Sequence, residues 1–537
     1  MALRIAAHPF PQIDIVMRRP RRRILALAVL AIVTMATSAR AQQKEPFPGF
    51  DAYVQSALAA WKVPGAAVAI VRNDSVIYTK GYGVREVGKP APVDERTLFA
   101  IGSSSKAFTS AAIAMLVDSG KVNLDAPATA YLPGFQLFDN YATREITVRD
   151  LLSHRSGLAR GELLWYVSDY DRDEILRRVR FLPPTWSFRS QFGYQNIMYL
   201  AAGQIAAKVS GTSWDDVIRT HIFQPLGMTS SSTSISALAG QSDLAMPHAE
   251  VNDTVRAIPY RKIDNIGPAG SINSNAVDMA QWLRLQLGDG KIQGRQLISK
   301  RMVDEMHTPQ TVIRAEGSWR MMNPSAHLMA YGLGWFLSDY EGRYMVQHGG
   351  NIDGMTALVA MLPEEKFGIV ILSNMNGSQM PTTIMLRAFD MQLGRPAKDW
   401  SAEMRKQYEG MLNQARAAQA RAESQHVSGT KPSLALSAYA GTYVDSLMGT
   451  VKVTESNGTL NFAFGPTWRG PLEHWHYDTF HLKLDTPVLG VVPVTFRLNA
   501  AGKVDDMVVD LAGQATFKRV QERPARGSTA GTGAPGR

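Results

Sequence analysis

The sequence predicts a large α+β domain followed by a small antiparallel β-barrel. In the first, a sheet is built from both ends of one long segment, with a helical subdomain set beside it. Three observations carry this. Strand patterns stand at the two ends of residues 45–395, with helical spacing between them. A charged amphipathic stretch follows and reads as a connecting helix. After Pro432 the pattern becomes short alternating apolar runs punctuated by turns.

The chain begins with a segment that precedes the fold. Arg18, Arg19, Arg21, Arg22 and Arg23 lead into the apolar run Ile24–Met35, and small residues then end at Ala39-Arg40-Ala41. This order of charge, apolar run and small-residue site is that of a secretory signal peptide over residues 1–41, cleaved before Gln42. The run falls short of the ~20 apolar residues that span a bilayer, so no stable membrane insertion is expected after cleavage. The residues before Met17 fit no part of a leader, and translation is expected to start at Met17. The mature protein is thus expected in the periplasm or outside the cell. The 537 residues include no cysteine, which excludes disulfides, thiolate metal sites and a cysteine nucleophile.

Ala66–Arg72 and Ser75–Gly81 form a predicted hairpin around Asn73-Asp74. After Gly102-Ser103-Ser104, the residues Ala107, Phe108, Ala111, Ala112, Met115 and Leu116 recur at helical spacing until Gly120. Thr147 with Asp150 three residues on resembles a capping box over 147–153. Further helices are expected over 197–209, 215–223 and 277–287, and strands over 333–337, 344–347, 356–362 and 367–373. Residues 396–432 form the linker, with Trp400, Met404, Tyr408 and Met411 on one helical face. In 433–522, the Asn457-Gly458 turn between alternating runs is a strong hairpin signal. The tail 523–537, mostly Gly, Ala, Pro and Arg, is expected to be disordered.

The chemistry concentrates at Gly102-Ser103-Ser104-Ser105-Lys106. On a helix beginning at Ser103, the Lys106 amine lies one turn on, on the side of the Ser103 hydroxyl. A serine hydroxyl is a weak nucleophile that needs a base within reach, and a lysine serves where burial and nearby cations leave it partly neutral. A helix start also offers free N–H groups to a developing oxyanion. Ser-x-x-Lys alone is common by chance, and Ser428…Lys431 matches it in a linker with no helix. Two further features set the first match apart. Tyr194-Gln195-Asn196 sits on a turn before a helix, and a strand ends in His348-Gly349-Gly350-Asn351, whose glycines open the strand edge.

In order and approximate spacing these motifs resemble those of the penicillin-recognising serine hydrolases, the family of class C β-lactamases, D-aminopeptidases and D,D-carboxypeptidases. Leu151–Leu158 is similar to another family segment, with Arg155 where the family more often has threonine. The resemblance implies a β-lactamase/transpeptidase-like fold over 45–395. It implies that Ser103 is the acylated nucleophile, Lys106 its activator and Tyr194 the proton shuttle. The same resemblance makes Asn196 the ligand of the substrate amide, with His348, Gly349 and Gly350 lining the substrate strand. The backbone N–H groups of Ser103 and Asn351 would form the oxyanion hole. The barrel, through Tyr439–Tyr443, is similar to lipocalin-like barrels that follow this domain in some relatives.

These motifs define acyl transfer to serine and then to water, not the acyl group. His348 replaces the lysine usual in β-lactamases, which favours a peptidase acting on short linear peptides, including those with D- or non-ribosomal residues. The alternatives are a carboxylesterase, a class C-like β-lactamase, or a sensor that binds wall peptides or a β-lactam without turnover. No cofactor is implied. His474 and His476 make a possible metal pair without an evident third ligand, so no metal is expected. Most of the formal +10 charge lies in the leader and tail arginines, which leaves the body near neutral and gives no reason to expect nucleic acid.

Overall fold

The computed structural model describes residues 45 and 47–521, apart from 159, 167, 318–319, 321–324, 466–467, 485–489 and 511–513. The expected leader and tail lie outside the described residues.

The catalytic domain is an eight-stranded antiparallel sheet with helices on both faces. Its strands are β1 (Gly65–Arg72), β2 (Ser75–Gly83), β3 (Thr311–Ile313), β4 (Met329–Tyr331), β5 (Phe336–Tyr340), β6 (Arg343–Ile352), β7 (Met355–Leu362) and β8 (Phe367–Ser373). They lie in the order β2-β1-β8-β7-β6-β5-β4-β3, so the first hairpin closes onto strands about 300 residues later in the chain. The sheet is thus built from both ends of the segment, as the sequence predicts. Central strands face a core on each side, and the period-2 alternation assigns each residue to one of them. In β7, Ala357, Val359 and Met361 enter the core shared with the helical subdomain. Leu358, Ala360 and Leu362 enter the core beneath the terminal helices.

The helices that matter here are α1 (Phe50–Ala60), α2 (Ser105–Asp118), α3 (Val148–Leu152), α4 (Leu163–Tyr166), α5 (Arg172–Arg178), α6 (Asn196–Ser210), α7 (Ala276–Leu287), α8 (Met380–Gln392) and α9 (Trp400–Ser424). Nearly every residue of α2 is buried, so it runs through the core and not over the surface. The nucleophile candidate sits just before it, in a 3₁₀ turn over Gly102–Ser104. Two expected elements differ. The strand expected at 333–337 begins only at Phe336, as β5, because residues 332–335 make the turn from β4, in which Gly334 takes φ +87°. The helix expected over 215–223 is an α-helix only to Ile218 and then widens into a π-type turn.

α3 shows how a helix end near the site is fixed. The capping box anticipated from sequence forms between Thr147 and Asp150. Asp150 is wholly buried, yet it carries two arginines: Arg155, paired to Oδ1, and Arg189, paired to Oδ2 at 2.6 Å. Arg155 is the residue at which this chain departs from the family segment. Burial alone would raise the Asp150 pKa, but Arg189, the Thr147 backbone N–H and Arg155 together hold it below 3.8. Its stabilising contribution is therefore complete at neutral pH and is lost as pH falls below that value. Asp150→Ala is expected to lower stability by about 2–4 kcal/mol, since it strands two guanidinium groups and removes a cap. Thermal or urea unfolding at pH 7 checks this, and a loss under ~1 kcal/mol would contradict it.

The second domain is a closed antiparallel barrel of β9 (Gly441–Asp445), β10 (Gly449–Ser456), β11 (Thr459–Phe464), β12 (Trp468–His476), β13 (Thr479–Lys483), β14 (Val491–Leu498), β15 (Val504–Asp510) and β16 (Gln514–Arg519). It closes by pairing Tyr443 with Arg519. Inward residues such as Val451, Val453, Phe462, Phe464, Val494 and Phe496 fill it with side chains. The Asn457-Gly458 turn has both residues at positive φ, as that hairpin type requires. A bulge separates His474 from His476, and His474 Nε2 hydrogen-bonds the Tyr477 carbonyl. Among the described residues no group of three potential ligands could hold a metal ion.

The barrel is seated on the catalytic domain through its β9–β10 turn. Leu447 packs against the catalytic core, while Leu163 and Tyr166 pack against the barrel core. Arg178 donates to the carbonyls of Ser446 and Leu447, and the Tyr170 hydroxyl donates to that of Met448 at 2.9 Å. No helix among the described residues is long and apolar enough to cross a membrane.

Candidate active site

Ser103 is half-buried among buried neighbours, at the base of a cleft of about 290 Å³. Lys106, one turn on, reaches back to it at Nζ–Oγ 3.0 Å. The amine is wholly buried and makes two further contacts, with Asn196 Oδ1 at 2.7 Å and the Ala269 carbonyl at 2.8 Å. Burial holds the Lys106 pKa well below 10.5; the Glu162 carboxylate opposes this and Arg160 adds to it.

Tyr194 lines the same cleft as Ser103, with its hydroxyl near enough to the serine hydroxyl to feel it. Burial raises its pKa above 10.0 despite the Ser103 contact and nearby Arg160, so the group is a neutral phenol. The amine of Lys106 lies 4.8 Å from the Tyr194 ring centre. The structure thus brings the Ser, Lys and Tyr of the predicted triad together around one hydroxyl.

The neighbouring serines have other partners. Ser104 Oγ donates to the His348 carbonyl at 3.1 Å, and Ser105 Oγ to the Gly102 carbonyl at 2.7 Å. The first contact ties the turn to β6 and the second closes the turn on itself, and of the three serines only Ser103 lines the cleft.

The third predicted motif is placed differently from its expectation in two respects. β5 pairs with β6 only as far as Gln347, so the His348–Ile352 half of β6 is open on that side, as the glycines indicated. The space beside Gly350, however, is taken by the chain that carries the nucleophile. A Cβ there would lie 1.8 Å from the Ile101 carbonyl oxygen and 3.0 Å from the Ser103 nitrogen. Gly102, at φ +51°, comes equally close, and its Cβ would lie 2.8 Å from the Asn351 nitrogen. This mutual approach sets the Ser103 and Asn351 amides side by side. Gly349 alone of the two glycines lines the cleft.

His348 lines the cleft but is 1% exposed. Its Nδ1–H donates to the Gly349 carbonyl at 2.6 Å, so Nε2 accepts the Tyr331 hydroxyl at 3.0 Å. Burial, with Lys106 nearby, pushes its pKa down to about 3, and the ring is neutral. The ring lines the cleft and brings no charge to it.

Asn196 has partners within the protein. Its Oδ1 accepts from Lys106, and its Nδ2 donates to the Glu162 carboxylate at 3.2 Å, so both ends of the amide are engaged within the protein. It orients the lysine. It is not the cap of α6, a role taken by Gln195, whose side chain accepts from the Ile197 N–H.

Sequence reasoning missed Arg160 and Glu162 and gave His154 no role. Arg160, ion-paired to Glu162 at 2.6 Å, lies over the Tyr194 ring at 5.2 Å. Both stand in the loop after α3, whose spacing to Ser103 carries no signal. His154 is wholly buried, with its ring 4.2 Å from that of Tyr194. Its Nδ1 accepts the Gln195 N–H at 3.0 Å, which leaves no lone pair for a serine proton. It braces the tyrosine and is not a base.

The model of the beta-lactamase family matches residues 50–389, which span the sheet, the helical subdomain and all three motifs. The chain belongs to the beta-lactamase family. A second model, a domain of unknown function (DUF3471), matches residues 425–524 of this beta-lactamase-family protein, the region of the barrel. It is similar to an unguisins hydrolase of Aspergillus violaceofuscus, 28% identical over 87% of this chain and 88% of the relative. A second unguisins hydrolase, from Aspergillus campestris, is 30% identical over 68% of each chain. Protein flp of Staphylococcus aureus is 25% identical over 62% of this chain and 64% of its own length. In fold, the protein is similar to the octameric penicillin-binding protein homologue from Pyrococcus abyssi. That likeness has a TM-score of 0.58 at 22% identity and covers 87% of this chain and 99% of the other.

Proposed function

We propose that this beta-lactamase-family serine hydrolase is an exported peptidase that cleaves amide bonds of short linear peptides through an acyl-enzyme. One observation carries the mechanism. The Ser103 hydroxyl lies between a buried amine with a lowered pKa and a phenol with a raised one. The neutral Lys106 Nζ takes the Ser103 proton as Oγ bonds to the substrate carbonyl carbon. The oxyanion is received by the N–H groups of Ser103 and Asn351. Tyr194 gives its proton to the leaving nitrogen as the C–N bond breaks, and regains one from the ammonium of Lys106. In the second half a water replaces the amine: its proton passes to the same base, and its oxygen displaces Oγ.

Support for amide substrates comes from Tyr194, a phenol that stays protonated beside the nucleophile and so can supply the proton a poor amine leaving group needs. The two Aspergillus relatives are named as hydrolases. Turnover of a D-Ala anilide, a p-nitrophenyl ester and nitrocefin, compared on one preparation, tests the reading. Ester or nitrocefin turnover with inert amides would assign an esterase or β-lactamase. Stable acylation without turnover would assign a sensor.

A pH profile tests the roles. Because the base must be neutral, kcat/KM is expected to rise with pH through the Lys106 pKa, with this limb well below 10.5. A limb centred near 10 would contradict a depressed lysine.

A further inference from the structure

With His348 neutral and both its nitrogens engaged, the third motif offers no charge to a substrate. Yet the cleft is not without one. Among the described residues that line it, Arg160 is the single charged side chain. Glu162 holds it only through Nε, at 2.6 Å, and among the described residues this is its one hydrogen bond. The side chain is 59% exposed, so the two terminal amino groups of the guanidinium are available as a planar fork. The geometry of that fork suits a carboxylate, which accepts two parallel N–H bonds. Its position gives the side of the scissile bond. The guanidinium overlies the ring of Tyr194, the group that protonates the departing nitrogen.

We propose that Arg160 is the anion anchor of the cleft, and that preferred substrates carry a carboxylate on the departing residue, that is, a free C-terminus. This rests on the acyl-enzyme reading above and moves the cation from the strand motif to the loop after α3. Glu162 is then a positioning residue: it fixes the guanidinium through Nε and fixes Asn196 through its other contact.

The experiment is a protection assay that needs no turnover. A fluorophosphonate labels Ser103 while acetylated dipeptides compete, each supplied as the C-terminal acid and as the C-terminal amide, in L,L and D,D forms. The acid is expected to protect at about tenfold lower concentration than the matched amide, the effect of one charge-assisted contact. Arg160→Gln is expected to bring the two within twofold, and Arg160→Lys to retain part of the preference. A loss of protection shared equally by acid and amide would place Arg160 in support of Tyr194 and overturn the proposal. So would equal protection in the unaltered protein, no protection by either peptide, or a preference that survives in Arg160→Gln. Labelling that fails at Ser103 in the unaltered protein would instead overturn the serine hydrolase mechanism itself, and the proposal with it. Thermal melting of both variants confirms that they are folded.

Discussion

Ser103→Ala is expected to abolish fluorophosphonate labelling and to lower amide turnover by at least about four orders of magnitude, the scale seen when a serine enzyme loses its nucleophile. The expectation is specific because the three consecutive serines have separate duties. Ser104 donates to the His348 carbonyl and holds the 3₁₀ turn to the sheet, while Ser105 donates to the Gly102 carbonyl within the turn. Their alanine variants should still label. Ser428, in the second Ser-x-x-Lys match, stands in the turn just past the end of α9, and Ser428→Ala should behave as the unaltered protein. Mass spectrometry of the labelled peptide reads all four variants. An adduct that persists in Ser103→Ala, or that maps to Ser428, would overturn the assignment.

Gly350→Ala is expected to reduce kcat/KM by two to three orders of magnitude, comparable to losing one oxyanion-hole donor. The added methyl group meets the Ile101 carbonyl oxygen at 1.8 Å, and no rotamer change relieves a clash with backbone. The turn must move away from β6, and the Ser103 amide leaves its place beside that of Asn351. Gly349→Ala is the control. Its Cβ meets nothing nearer than 3.6 Å, so its effect should be confined to the cleft wall and to KM. Steady-state kinetics with thermal melting distinguishes the two. A Gly350→Ala protein that turns over normally would show that the two amides need not be aligned.

The legible parts of this protein were those written in short-range spacing. The three-residue interval from Ser103 to Lys106 put both groups on one side of a helical turn, and the β-branched runs of β1 and β8 announced buried strands. Strand partners were not written there, because antiparallel pairing across 300 residues leaves no local periodicity. The motif of β6 was found, but the meaning of Gly350 was not. Glycine signals that something comes close, and only the packed chain shows that the neighbour is Ile101. His348, Asn196 and Arg160 share a cause: their roles depend on Tyr331, Glu162 and Tyr194, contributed by other elements. Burial also decided the protonation states, and composition carries no information on burial at a single residue.

The seat of the barrel changes what counts as a separable part. Tyr166, whose ring borders the barrel core, also pairs through its hydroxyl with Asp353, two residues beyond Asn351 in the turn after β6. Arg261 holds the other oxygen of that carboxylate at 3.0 Å. One seam therefore runs from Leu447 in the barrel to the strand end that carries Asn351. The chain joining the two domains through α9 is a tether and not a hinge: lengthening it leaves the seat of the barrel where the seam puts it. A truncation placed there by reading domain boundaries alone would strip Leu163 and Tyr166 of their apolar cover and unsettle a wall of the active site.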